Sequence, residues 1–277
     1  MKITTIIENE ATKLSNLYNE HGLCYFIEID GLNILFDTGK SYKAYENFKK
    51  LGLDDKKIDY IILSHGHYDH TGGLKVFLEN IKCKPKIIVG NEFFSRKDKY
   101  HLKENNKKYI GIDFNLKYLK EKNIEIIEVK ESIKLTDKIN LISNLKGIDE
   151  RNILEGEDVL AIKYNNSLIR DDFREELIIA IERSDSIILI TGCAHNKIQY
   201  IAKYIKNKFN KSNLIIIGGV HLSNATDKEI NEAIYNLKEI NIKKVSLCHC
   251  SGHKIIEKLK AEKIEVTRGI TGTISEY

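Results

Sequence analysis

Four titratable side chains, His65, His67, Asp69 and His70, crowd into six positions of the stretch IILSHGHYDHTGG, behind an apolar run and ahead of Gly72 and Gly73. His65 and His67 are two apart, so in an extended segment their rings lie on one side and reach the same ion. Asp69 and His70 follow where the chain turns toward a helix, and they can serve a second ion nearby. Imidazoles with one carboxylate suit Zn²⁺, with Fe or Mn as alternatives. A lone histidine is ordinarily structural. Burying this many imidazoles without a partner would be costly, so the stretch reads as a metal centre.

The elements that must position these groups are short Ile- and Val-rich runs bounded by turn signals: ITTII, CYFIEI, NILFDTG, DYIILS, KIIVG, IEIIEV, VLAIKY, LIIAIE, SIILITG, NLIIIGG and KVSLCHC. Each reads as a strand. Helical patterns fall at 41–51, 72–80, 196–209, 227–240 and 252–261, which gives an α/β chain with helix-covered sheets. Five of the runs end in a histidine or aspartate: Asp37 in DTG, the 65–70 cluster, His195 in TGCAH, His221 in GGVH and His249 in LCHC. Sites in sheet proteins form beyond the carboxyl ends of strands. Residues 93–122 are polar, Lys-rich and dotted with aromatics, and read as a helical or loop insertion and a lid. His101 with Phe93, Phe94, Tyr100 and Tyr109 can stack on a flat ligand there, although ordinary packing is the preferred reading. Pro85 is the only proline and no linker divides the chain, so residues 1–277 read as a single domain.

With 44 basic and 40 acidic residues the net charge is only +4, and no polybasic block forms. That argues against a nucleic-acid partner. No apolar run approaches the roughly 20 residues of a membrane span. Five irregularly spaced cysteines and an N-terminus unlike a signal peptide point to reduced thiols in the cytoplasm. Oligomeric state is not legible.

SHGHYDH matches the His-x-His-x-Asp-His signature of the metallo-β-lactamase-fold superfamily, and Asp37, His195 and His249 fall on its other motifs. The resemblance implies an αββα four-layer sandwich with metals in a cleft at one edge of the sheets. It implies a first metal site of His65, His67 and His195, and a second of Asp69, His70 and His249. Asp37 would hold the histidine loop in place. Where the superfamily usually carries a bridging Asp, this chain has His221, a further candidate ligand. Without that carboxylate a pair of divalent ions stays under-neutralised, which favours anionic substrates or weaker binding of the second ion. The combination EHGLCYFIE, LSHGHYDHTGG, GCAHNKI, GGVHL and CHCSGH is further similar to a branch labelled dihydropterin-linked ribofuranosylaminobenzene 5′-phosphate synthases.

These features together imply an enzyme that uses metal-activated water or a metal-polarised oxygen on a small anionic substrate, a pterin or a phosphate-bearing molecule. It would be a hydrolase or a transferase with one or two zinc ions, and Asp69 and His221 as catalytic groups. The alternative is a pterin-like ligand-binding protein with a partial metal site. A di-iron redox enzyme and a nuclease fit less well. His21 in EHG is a candidate substrate contact. His253 and Lys254 at a helix start are candidates for holding phosphate, and Arg268 is assigned to the same pocket by the resemblance. Cys193 can face the cleft. If 247–250 is extended, Cys248 and Cys250 point away from His249 and pack.

Overall fold

The computed structural model describes residues 1–12, 16–54, 56–104, 106–145 and 158–277. The first sheet has seven strands. In spatial order they are β18 (Ile274–Glu276), β1 (Lys2–Ile7), β2 (Cys24–Ile29), β3 (Leu32–Phe36), β4 (Tyr60–Ile62), β5 (Lys86–Gly90) and β8 (Ile126–Val129). The second also has seven: β17 (Glu265–Arg268), β16 (Ile242–Leu247), β15 (Asn213–Gly218), β14 (Ser186–Thr191), β13 (Ile178–Glu182), β10 (Ile139–Ile142) and β9 (Ser132–Lys134). Strands β3, β4, β5 and β8 run parallel, as do β14, β15, β16 and β17.

Period-two alternation divides the strand residues between layers. Ile179, Ile181, Ile188 and Ile190 join Ile27, Ile34, Phe36 and Ile62 in one cluster, so the two sheets pack face to face. The intervening Ile178, Ala180, Ile187 and Leu189 face outward onto α5 (Ile198–Phe209), α6 (Asp227–Glu239) and α7 (His253–Ala261). Leu35, Ile61 and Ile87 do the same on the first sheet. They pack under α1 (Tyr42–Lys50) and α3 (Leu74–Asn80), with Leu119 of α4 (Leu116–Glu121). The layers are thus helix, sheet, sheet, helix, as the family resemblance implied. No described helix is long and apolar enough to cross a membrane.

The 93–122 segment holds the expected helix, α4, but is not helix and loop alone. It contains a hairpin, β6 (Lys99–Lys103) with β7 (Asn106–Tyr109), which joins β11 (Asp158–Tyr164) and β12 (Ser167–Arg170) in a four-stranded sheet. The polar KYHLK and NKKY runs hid these strands, because little of the hairpin is buried apolar surface. Within the stacking set proposed above, Phe93 is buried in the outer core of the first sheet and His101 pairs with Asp158 at the hairpin edge. The segment is tied to the histidine motif: Tyr68 N donates to Ile110 O at 2.9 Å.

Candidate metal centre

The strand ends named above bring Asp37, the 65–70 cluster, His195, His221 and His249 into one neighbourhood. β4 stops at Ile62, and Ser64 to His67 form a loop rather than an extended strand before the short helix α2 (Tyr68–Thr71). His65 and His67 nonetheless come together, with ring centroids 4.6 Å apart. Loops after β14, β15 and β16 bring in His195, His221 and His249. The β14 loop comes so close to the motif that a Cβ at Gly192 would meet Ser64 Oγ at 2.1 Å. Only glycine permits that approach.

The ligand atoms of His65, His67 and His195 lie within 4.8 Å of one another. His195 Nε2 stands 3.3 Å from His65 Nε2, and His67 Nε2 is buried with no hydrogen-bond partner. On the other side, Asp69 Oδ2 lies 3.4 Å from His249 Nε2 and 3.7 Å from His70 Nε2, and the two Nε2 atoms are 3.1 Å apart. His21, exposed, joins this second set with Nε2 3.2 Å from Asp69 Oδ2. Asp37 is fully buried behind both sets.

Hydrogen bonds fix which ring nitrogen carries the proton. Ser64 donates its N–H to Asp37 Oδ1 and its hydroxyl to Asp37 Oδ2, each at 2.7 Å. With that hydroxyl hydrogen used, Ser64 Oγ accepts from His65 Nδ1 at 2.9 Å. His70 Nδ1 donates to Asp37 Oδ2 at 2.6 Å, and His249 Nδ1 to Asn9 Oδ1 at 3.0 Å. Neutral rings held this way turn bare Nε2 lone pairs toward one another. Lone pairs 3.1 Å apart repel unless a proton, here carried by His70, or a metal ion lies between them. The donor set and the orphaned His67 Nε2 therefore fit a metal ion.

The local electrostatics agree. Burial and neighbouring imidazoles hold His65 and His195 well below the usual histidine range. Burial and the Lys99 ammonium push His67 down to about 3. These rings are neutral, the form that binds metal. Burial works against charge on Asp69 and His70 too, but there it loses. His70 and His249 hold the Asp69 carboxyl low, and Asp37 and Asp69 lift His70 to about 9. That end of the site attracts positive charge.

Several positioning groups were not foreseen. The Glu176 carboxylate accepts from His195 N at 2.7 Å, Asn196 N at 2.9 Å and Asn196 Nδ2 at 2.8 Å. Phe173 stacks on His195 with centroids 3.9 Å apart and planes within 8°. Buried Lys99 lies 4.7 Å above the Phe173 ring, paired with Asp171 and, at 2.6 Å, with Glu175. The backbone N–H of His249 donates to Glu8 Oε2 at 3.0 Å. The only sequence signal was the density of carboxylates in DDFREE, residues 171–176.

Three of the remaining candidates face carboxylates of their own. Arg268 pairs with Glu10, His253 Nε2 is 3.6 Å from Glu10 Oε1, and Lys254 is 3.9 Å from Asp227. His221 stands exposed with its ring 4.3 Å from that of His195, and its ligand atom groups with Cys193 and Cys250. Cys250 thus does not point away as expected. The strand ends at Leu247 and His249–Ser251 is a 3-10 turn, so alternation does not apply. Cys248 does pack, with its sulfur 2.8 Å from Tyr25 Oη between the sheets.

A family model described as the metallo-beta-lactamase superfamily matches residues 17–161. This chain belongs to that superfamily. An uncharacterized protein of Methanocaldococcus jannaschii is 31% identical over 259 residues, 93% of each chain. A 7,8-dihydropterin-6-methyl-4-(beta-D-ribofuranosyl)-aminobenzene-5'-phosphate synthase from the same organism is 29% identical over 265 residues, 92% of this chain and 88% of that one. The crystal structure of Tm1679, described as a metal-dependent hydrolase of the beta-lactamase superfamily, superposes with a TM-score of 0.79 over 100% of this chain and 99% of that one. At 24% identity that likeness speaks for the metallo-beta-lactamase fold alone.

Proposed function

We propose that this chain is a metal-dependent hydrolase or transferase acting on a small anionic substrate that carries a pterin or a phosphate. The observation that carries the proposal is the meeting of His65, His67 and His195, from two separate strand ends, with ligand atoms within 4.8 Å and His67 Nε2 left without a protein partner. His65, His67 and His195 would hold one ion, and Asp69, His70 and His249 a second. A divalent ion there supplies Lewis acidity, which acidifies water and polarises a substrate oxygen. The imidazole-rich donors favour Zn²⁺, with Fe or Mn as alternatives.

The chain's own groups divide the remaining work. Asp69, held between His21 and His249 and kept ionised, would ligate the second ion and orient the attacking oxygen. His21 is exposed beside it and can carry a proton to a leaving group. His221 stands exposed next to His195, where a substrate anion would meet it. An anion approaching Arg268 or His253 would compete with Glu10, so we place the phosphate end nearer His21 and His221. We read residues 93–122, with the hairpin they contain, as a wall or lid beside the motif, and the chain as one domain. The pterin element of the reading is supported by the name of the 29% identical relative. The five cysteines are free thiols, which suits a cytoplasmic setting.

The test is a screen of phosphoesters, lactones, thioesters and reduced pterins with Zn²⁺, Mn²⁺ and Fe²⁺. We expect turnover of at least one class, reduced to background in the H65A/H67A double variant. Turnover that survives that variant would refute the proposal. Tight pterin binding without turnover under every metal would replace it with a ligand-binding role.

A further inference from the structure

One donor group is not used by the imidazole and carboxylate sites. Strands β14, β15 and β16 are neighbours running parallel, and their ends deliver Cys193, His221 and Cys250 to one point. The Cys250 and Cys193 sulfurs are 3.3 Å apart, and the backbone N–H of His221 donates to Cys250 Sγ at 3.3 Å. The thiol sulfurs and a ring nitrogen of His221 all lie within 4.8 Å of one another. Cys193 Sγ also sits 3.2 Å from His70 Nε2, so the sulfurs continue the array of imidazoles rather than forming a separate patch.

These two cysteines do not behave as packing residues. Buried Cys24 and Cys248 belong to the apolar clusters of the two sheets. Cys193 and Cys250 are equally buried, yet neither is a member of any of the three clusters. Gly219 leaves room for the sulfur, since a Cβ there would stand 2.7 Å from Cys250 Sγ. Two sulfurs on a tetrahedral ion at ~2.3 Å stand roughly 3.7 Å apart, a small opening from the observed separation.

We propose that Cys193, Cys250 and His221 form a sulfur-donor arm of the metal centre, which binds a thiophilic d-block ion in preference to Mg²⁺ or Mn²⁺. Binding replaces the two thiol protons with the ion and releases them to solvent, and no electrons are transferred. Sulfur ligands select zinc, cobalt and ferrous iron over the harder ions, which prefer oxygen. The inference deepens the metal reading above, but it is independent of whether the protein turns over a substrate.

The experiment is anaerobic titration of the full-length protein with Co²⁺ under a thiol-free reductant, followed by near-ultraviolet absorption. X-ray absorption of the zinc-loaded protein runs in parallel. We expect a thiolate-to-cobalt charge-transfer band and a sulfur scattering shell in the native protein. The band is expected to weaken in C193S and C250S and to vanish in the double variant, while cobalt bound by nitrogen ligands remains. H221N should lower cobalt affinity at the sulfur arm about tenfold. Asparagine is chosen because position 221 has φ of 52°, a conformation it tolerates. H65A/H67A is expected to retain the sulfur signal. Cobalt bound by the native protein with neither the band nor the sulfur shell would overturn the inference and leave the imidazole site standing. A band that persists in the double serine variant would also overturn it. Absence of any cobalt or zinc binding would overturn both readings. The native-protein spectra decide the matter even if a serine variant fails to fold.

Discussion

Glu176 was invisible as a functional residue, and it provides a sharp test of how the site is held together. Its carboxylate takes the backbone N–H groups of His195 and Asn196 and the Asn196 side-chain amide, all within 2.9 Å, with Glu176 and Asn196 buried and His195 partly so. Hydrogen bonds to a charged group contribute about 1.5–3 kcal/mol each, and a buried donor left without a partner costs about 1–3 kcal/mol. Water will replace part of the lost carboxylate, so E176A is expected to cost about 3–5 kcal/mol in all. At about 2–4 °C per kcal/mol for a chain of this size, melting should fall by roughly 10 °C. Because the freed N–H belongs to His195 itself, zinc affinity at the His65, His67 and His195 site should also fall, by about 10- to 100-fold. E176Q separates the two effects. Its amide oxygen can keep the two Asn196 donors, but its NH₂ then opposes the His195 N–H. It should therefore lose less stability than E176A while losing comparable zinc affinity. Calorimetry and competitive zinc titration measure both quantities. An E176A protein that melts within 2 °C of native and binds zinc equally well would refute this role for Glu176.

Removing the buried ammonium in K99M leaves Asp171 and Glu175 facing each other with Arg96 as the remaining countercharge, a loss of about 3–5 kcal/mol at neutral pH. Burial then dominates and raises both folded carboxyl pKa values above their unfolded ones. Stability from these groups is present below the unfolded carboxyl pKa and lost as pH rises through the folded values, so the K99M deficit should shrink from pH 8 to about pH 5 in melting curves. In D37N an amide NH₂ faces His70 Nδ1, which moves the ring proton to Nε2. Calorimetric titration should show the second ion weakened about 10- to 100-fold and the first affected less. Zinc at about 100 times its Kd should add about 2.7 kcal/mol of stability. Chelator should reverse the matching rise in melting temperature, and a melting temperature indifferent to zinc would count against the site.

The strands that carry the site were legible because each is a short apolar run between two layers, and its alternation survives in the sequence. The proposed ligands were legible because several imidazoles at strand ends have few other physical explanations. What could not be read depends on contacts between distant segments. Lys99, Phe173 and Glu176 are ordinary residues whose role appears only when the hairpin and the 171–176 turn fold behind the histidines. Cys250 was misjudged because the strand ends at Leu247 and a 3-10 turn begins at His249. The β6–β7 hairpin was missed because it buries a lysine rather than an apolar face.

The claim on which the rest depends is that His65, His67 and His195 share an ion. Anomalous diffraction from crystals grown with zinc, collected on both sides of the zinc absorption edge, tests it directly. The account predicts an edge-dependent peak bonded to all three Nε2 atoms. Zinc-loaded crystals with no such peak between those rings would contradict it.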